Sequence, residues 1–347
     1  MEQVRWISEV RVGVDAHYDY AHPDPYPDES LEFQLVNALS QTAAFKRLAD
    51  IRFLGALDYC LVSQPNGNQG HSRFTRAQHS VGVATLSIAY LRLRSHSPKQ
   101  SLACVAAAML HDIGHPPFSH TLEPLFKQQF GFDHHDASLS IINGSVPLGQ
   151  QVVRVLKEFS ISPDDVVDIL SGDDSDFDNF FSGPINFDTI EGILRARGYL
   201  KMQPLGLTPL RVIEAAANRE RDGSKETVDE FWRAKHDIYG LIIRSRAGVL
   251  CDLLFQEVVK KSIHLLGEYD FLSTESKMFK KVPFLRDVLD KRTSLNFVQC
   301  ILPRIVEYQK RQFYVDQEEE FSTKLDKRRY RQRKIPATLT LDEMLSA

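Results

Sequence analysis

Sixteen residues hold an unusual density of side chains able to do chemistry. The segment AMLHDIGHPPFSHTLE (108–123) carries His111, Asp112, His115, His120 and Glu123. Imidazoles ligate metals and exchange protons near neutral pH; carboxylates ligate borderline and hard cations and orient imidazoles. A His–Asp neighbour pair is not itself the signal, because the chain has three, at 111–112, 135–136 and 236–237. Context separates the first. It follows LACVAAAM (102–109), a nearly uninterrupted apolar run, and ionisable groups at the end of such a helix are costly to bury unless paired or bound.

The elements that must position these groups read as helices. His79, Val83, Leu86, Tyr90 and Leu93 form one stripe at helical spacing, and His111 continues the line of Cys104, Ala107 and Ala108 on the next helix. Packing the two stripes together would bring His79 and His111 into the interior beside Asp112. Two imidazoles and one carboxylate around a point suit a divalent cation, and a second carboxylate would complete the set. Gly114 and Pro116–Pro117 stop the second helix, and Pro116 disfavours helical geometry at His115. His115 and His120 are thereby free to turn back over the site, as phosphate contact and acid/base group. The bland alternatives are a satisfied core histidine at 79 and a simple hydrogen bond at 111–112. Density argues for a task.

Elsewhere, Leu31, Leu35, Leu39, Phe45, Leu48, Ile51 and Leu54 give helical periodicity over 31–57, and further helices are expected at 187–198 and 226–266. SQPNGNQGHS (63–72) and the acidic SGDDSDFDNFFSGP (171–184) read as loops. Strand-like alternation is sparse. KLDKRRYRQRK (324–334) is a basic run, read either as a solvated end or as a nucleic-acid contact. The expected organisation is an N-terminal segment 1–30, an all-α core over 31–265 and a C-terminal extension over 266–347.

Composition sets the limits. Hydrophobic residues at 43% and charged residues at 25% exclude wholesale disorder, and a net charge of −4 supplies no global basic field for nucleic acid. Cys60, Cys104, Cys251 and Cys300 form no Cys-x-x-Cys pair, so neither a zinc knuckle nor a disulfide framework is expected, and such scattered thiols suit a reducing cytosol. MEQVRWISEVRVG lacks the apolar core of a signal peptide, and the longest apolar stretch, about ten residues, is too short to cross a bilayer. A soluble cytoplasmic protein without membrane partners is expected. Neither the Glu-x-x-His repeats of a di-metal bundle nor the His-Glu-x-x-His of a zinc protease is present.

At this point the residues resemble a family. FKRLADIRFLGALDY (45–59), TRAQHSVGVA (75–84), MLHDIGHPPFSH (109–120), HDASLSII (135–142) and INFDTIEGIL (185–194) resemble, in order, the blocks of the HD-domain phosphohydrolases. Within them the pattern is closest to the deoxynucleoside triphosphate triphosphohydrolases, the dGTPase-like and SAM-and-HD-domain branch. WRAKHDIYGLIIRSRAGVLCDLLF (232–255) resembles the long helix that follows the core there. The resemblance spans roughly residues 31–265 and implies an HD-domain helical bundle with a C-terminal helical extension. It implies one divalent metal (manganese, iron, nickel, cobalt, magnesium or zinc) on His79, His111, Asp112 and Asp188. It implies phosphate contacts from Arg76 and His115, a catalytic acid at His120, and a supporting relay of Glu123, His135 and Asp136. A nucleotide substrate and a homo-oligomer are implied as well.

The chain also departs from that branch. Phe53 stands where many relatives have a nucleoside-contacting Gln; Thr189 and Gly192 replace a Lys and a Tyr near the phosphates and sugar; Ala196 replaces a sugar-contacting Asp. The rival expectations are a nucleoside monophosphatase, a phosphodiesterase or exonuclease on single-stranded nucleic acid, or a nucleotide-sensing regulator that retains the metal site.

Overall fold

The computed structural model describes residues 30–60, 74–94, 96–172, 180–181, 183, 185–200, 206–218, 221–321 and 328–346. The loop at 63–72, most of the acidic loop 171–184 and residues 1–29 lie outside the described residues. The protein is all-α, as expected, with one antiparallel strand pair among the described residues, near the C-terminus. By packing, the chain divides into two units, neither continuous in sequence. One comprises 1–49, 75–114 and 135–231; the other comprises 50–74, 115–134 and 232–347.

The first unit is built on two helices, Arg76–Leu91 and Pro98–Leu110. Both start on capping boxes, Thr75 with Gln78 and Ser97 with Gln100, which satisfy two of the orphan amides at each N-terminus. Pro98 stands at the first turn, where its missing N–H is harmless. Every residue from Ala103 to Leu110 is at most 4% exposed. That is why the run could be apolar on all sides: Leu31–Ser40 and Pro163–Ser171 pack on this helix as well as Arg76–Leu91. Phe187–Arg197 lies against Arg76–Leu91, its first turn capped by Asn186, whose Oδ1 accepts from the Thr189 N–H at 2.7 Å.

The second unit centres on helix Arg246–Lys261, which packs on Ala56–Cys60. The single helix expected over 226–266 is broken. Ser224–Ile238 ends in a π-turn at Tyr239–Ile243, and a new helix begins where Ser245 Oγ accepts from the Gly248 N–H at 3.0 Å. The apolar pattern runs through the break because both segments bury their apolar faces.

Residues 324–327 of the basic run lie outside the described residues. Its later cations Arg331, Arg333 and Lys334 are exposed, in keeping with the solvated reading, but belong to strand Tyr330–Thr340, antiparallel to Ile305–Val315 in the register Val315↔Tyr330 to Ile305↔Thr340. Phe313 anchors the strand pair, edge-on to Trp232 at 5.4 Å and to Tyr239 at 4.7 Å.

The cysteines correct a second expectation. Cys60 and Cys251, separated by 191 residues, are joined as a disulfide with Cα atoms 6.4 Å apart. Cysteines scattered in the chain are not scattered in space, because Ala56–Cys60 and Arg246–Lys261 are packing partners. Cys104 and Cys300 are not disulfide-bonded. Among the described residues, no helix is long and apolar enough to cross a membrane. Denaturation without reductant followed by alkylation should label two thiols, rising to four after reduction. Four labelled thiols in unreduced protein would show that the pair is open.

Candidate metal centre and histidine relay

The first cluster is set by what the imidazole Nδ1 atoms do. His79, one turn into its helix and fully buried, has Nδ1 against the Glu191 carboxylate. His111 caps Pro98–Leu110, and its Nδ1 donates to the Ala108 carbonyl at 2.8 Å. Both partners accept, so both Nδ1 atoms carry the proton, and each Nε2 is left with a lone pair. The two Nε2 atoms face each other at 3.3 Å. Carboxylates surround them. Asp188 Oδ1 lies 3.0 Å from His79 Nε2 and 3.8 Å from His111 Nε2; Asp112 Oδ2 lies 3.6 and 3.4 Å from the same atoms.

This donor set fits a cation. Ligands ~2.1 Å from an ion at right or tetrahedral angles lie about 3.0–3.4 Å apart, close to the separations found here. His79, His111 and Asp188 each offer one atom within a common 4.8 Å limit. Buried lone pairs and carboxylates repel one another unless something positive sits among them. Without an ion that something is a proton. Burial opposes it, yet Glu191, Asp188 and Asp112 raise the His79 imidazole to about 9. Asp188 is 47% exposed, which leaves the set open to solvent on one side.

Behind His79 lies a second layer. Glu191 is 1% exposed and accepts from Arg195 Nε at 2.8 Å; Arg195, fully buried, also donates from Nη2 to Glu191 and, at 3.1 Å, to the Gln78 carbonyl. Burial alone would raise the Glu191 pKa, but Arg195 and His79 pull it below its ordinary value. A carboxylate on the far nitrogen of a ligating imidazole fixes its tautomer and raises its basicity. Gly82 makes room for this layer: a Cβ there would fall 2.1 Å from Glu191 Oε1 and 2.9 Å from Arg195 Nη2. On the other flank, Arg76 Nη1 donates to Asp112 Oδ2 at 2.6 Å, so Arg76 is committed to the cluster's own carboxylate.

The second cluster is a relay. Glu123 bridges two imidazoles, with Oε2 2.8 Å from His120 Nδ1 and Oε1 against His134 Nδ1. The His115 ring stacks on His134 at 4.1 Å, nearly parallel, and meets His120 edge-on at 4.6 Å. These four residues also lie close enough together to hold an ion. Ring orientation argues against it, because a ligated metal sits in the imidazole plane and two stacked planes cannot both contain it. His120 is the exposed member, its side chain 64% accessible. The arrangement can hold a proton at an exposed imidazole and stabilise it through a largely buried carboxylate.

Residues 76–157 match the HD domain family. The chain therefore contains an HD domain. The matched segment contains both the His111–Asp112 pair and the whole second cluster, while Asp188 and Glu191 lie beyond it. The chain is 25% identical to the uncharacterised protein YwfO of Bacillus subtilis over 67% of its own length and 51% of that protein's. It is 31% identical to the deoxynucleoside triphosphate triphosphohydrolase SAMHD1 homolog of Dictyostelium discoideum, over 29% of this chain and 20% of the other. The chain spans about half the length of the curated relatives it matches most extensively. A solved phosphohydrolase structure from Bacteroides thetaiotaomicron shares the fold, with a TM-score of 0.57 at 16% identity, covering 83% of this chain and 85% of that one.

The HD-domain residues expected from sequence fall out unevenly. His79, His111, Asp112 and Asp188 come together, with Arg76 alongside. His115, His120 and Glu123 come together in the second cluster. Glu123 pairs with His120 and His134, while His135 and Asp136, expected in the relay, are exposed. Neighbouring residues on a helix diverge by about 100°, so only one histidine of the His134–His135 pair can face inward. Phe53 is buried, its N–H donating to the Phe74 carbonyl at 3.0 Å. Glu191 and Arg195 were missed, although with Asp188 they make a charged i, i+3, i+7 row on a helix whose other face is Ile190, Ile193 and Leu194.

Two outcomes follow from this geometry. Gly82→Ala and Glu191→Gln should each weaken divalent-metal affinity by roughly 10–100-fold with the helix content unchanged, read by metal titration and circular dichroism. Glu123 tests the relay through pH. Burial opposes its ionisation, but the hydrogen bonds from His120 and His134 win and hold its carboxyl well below the ordinary value of 4.5. A depressed carboxylate stabilises the fold above its unfolded pKa, and that stabilisation is lost as pH falls through and below this value. The gap between the urea midpoints of wild type and Glu123→Gln should therefore be full near pH 6 and narrow steadily below about pH 4.5, without closing at pH 3; an equal gap at pH 6 and pH 3 would reject the pairing.

Proposed function

We propose that the chain is a metal-dependent phosphohydrolase acting on nucleotides, with deoxynucleoside triphosphates as substrate and nucleoside plus inorganic triphosphate as products. The observation that carries this is the pair of imidazole Nε2 atoms 3.3 Å apart among two carboxylates, a donor set suited to a divalent cation. In this reading His79, His111, Asp112 and Asp188 hold one divalent ion. When bound, such an ion lowers the pKa of water and polarises a phosphoryl oxygen.

The remaining steps belong to side chains. Arg76 holds Asp112 in place, and its charge, with an N–H donated by His115, offsets the negative charge that grows on the phosphate. Water adds to the α-phosphorus and the bond to the 5′ oxygen breaks. That oxygen takes a proton from His120, and the water's own proton is lost to solvent. Glu123 stabilises the protonated His120, and His134 steadies Glu123 from its other oxygen. The similarity to a deoxynucleoside triphosphate triphosphohydrolase supports the substrate class. The differences at Phe53, Thr189, Gly192 and Ala196 bear on base and sugar preference. Monophosphates and single-stranded oligonucleotides are the substrates against which this reading is to be measured.

The deciding assay incubates the purified protein with each common divalent ion and with dNTPs, NTPs, monophosphates and short oligonucleotides, and separates triphosphate from orthophosphate. Triphosphate release from dNTPs is expected. Orthophosphate from monophosphates, or cleaved oligonucleotides, would replace this substrate with the corresponding rival, and bound metal without any turnover would favour a sensor. His79→Ala and Asp188→Ala should lose both bound metal and turnover. His120→Ala should keep its metal while turnover falls roughly 10²–10⁴-fold.

A further inference from the structure

The peptide that delivers His120 has a backbone that its residue types do not favour. Phe118 (φ 62°) and Ser119 (φ 49°) are both left-handed, the two residues immediately before the proposed proton donor. Consecutive non-glycine residues persist there only where the surroundings over-determine them. The surroundings are supplied from far along the chain. Glu275, 1% exposed, accepts at Oε1 from the Phe118 N–H (3.1 Å) and the Arg52 N–H (2.8 Å), and at Oε2 from the Tyr59 hydroxyl. The Ser119 hydroxyl donates to the Arg52 carbonyl at 2.9 Å.

Two further grips fix the residue on the other side of His120. The Thr121 hydroxyl donates to Asp252 Oδ1 at 2.8 Å, and Gln256 Nε2 donates to the Thr121 carbonyl at 2.8 Å. Gly55, itself left-handed, lets the strap come close: a Cβ there would fall 2.1 Å from the Phe118 carbonyl oxygen. The Phe118 ring is buried against Phe255 and Phe279, at 5.0 and 5.1 Å. Of these contacts, the Glu275 carboxylate alone ties the strap's own amide to the Arg52 backbone. An apolar side chain in its place would leave two backbone N–H groups without their acceptor.

We propose that Glu275 is a positioning residue for His120. It holds Phe118 and Ser119 in left-handed conformations, and so presents the His120 ring to substrate with Nδ1 on Glu123. The inference rests on His120 being the proton donor, and goes beyond that reading in assigning a role to a residue outside the HD motif.

The test compares Glu275→Ala, Glu275→Gln and His120→Ala, together with the double variant, in the full-length metal-loaded protein on the nucleotide that the substrate panel selects. Glu275→Ala should lower kcat at least about 30-fold with KM and bound metal within about twofold, while Glu275→Gln, which keeps an acceptor oxygen, stays within about threefold of wild type. In the His120→Ala background, Glu275→Ala should cost nothing more. Backbone amide exchange should rise at 118–121 in Glu275→Ala, a readout that needs no turnover. Wild-type kcat in Glu275→Ala, a loss carried by KM, or losses that multiply in the double variant would overturn the positioning role. Unchanged turnover in His120→Ala would instead overturn the proton-donor reading, so the two failures are distinguishable. Should Glu275→Ala not fold, Glu275→Asp, one methylene short of the Phe118 N–H, carries the same comparison.

Discussion

Two imidazole Nε2 atoms are turned toward each other, 3.3 Å apart in the interior, because a backbone or carboxylate acceptor holds the other ring nitrogen's proton on the far side of each ring. Most of what is distinctive in the first unit follows from that constraint. The apolar helix Pro98–Leu110 brings His111 to a fixed point at its own C-terminus, where the Ala108 carbonyl sets the tautomer without help from any side chain. His79 needs more, because it arises one turn into a helix and has no free carbonyl to use. Glu191 supplies the acceptor, Arg195 keeps Glu191 charged, and Gly82 leaves the space in which they meet. A buried ion pair adds little net stability by itself. Its value is to fix one proton on one nitrogen.

The second cluster solves a different problem with the same residue types. Histidines that bind an ion must point their ring planes at it. His115 and His134 instead lie face to face, and His120 and His134 both send Nδ1 to one carboxylate. Stacking and sharing suit proton storage better than coordination by all four residues. Orientation, more than composition, therefore separates the two His/acid clusters of this chain.

The sequence showed the parts of each cluster that lie close together in the chain, or on a strong apolar stripe. His111 and Asp112 stood out because they end an apolar run, and His79 because it shares a stripe with Val83 and Leu86. Asp188 was legible only through family resemblance, since a half-exposed aspartate on a helix looks like any solvated residue. Glu191 and Arg195 were lost among ordinary surface-like charges, although their spacing with Asp188 marked one face. The His134–His135 choice was beyond reach, because which of two neighbours turns inward depends on where the helix starts. The strand pair escaped because Ile305–Val315 and Tyr330–Thr340 are mixed in polarity on both faces. The Cys60–Cys251 pair escaped because helix packing alone brings it together.

The left-handed pair before His120 shows where local preference yields to long-range structure. Nothing in the residue types of Phe118 and Ser119 favours positive φ, and glycines would have adopted it freely. Glycine would also have made the strap as free in the unfolded chain as in the folded one, and would have left His120 to wander. Bulky residues held in a disfavoured conformation do the opposite. The Phe118 ring is locked in the core, the backbone is clamped by the Glu275 carboxylate, and the conformation persists only while every contact is made. The strap thus trades stability for a single orientation of one exposed imidazole. Such a trade is hard to account for on structural grounds alone, and it makes sense if the direction in which His120 points matters to the chemistry.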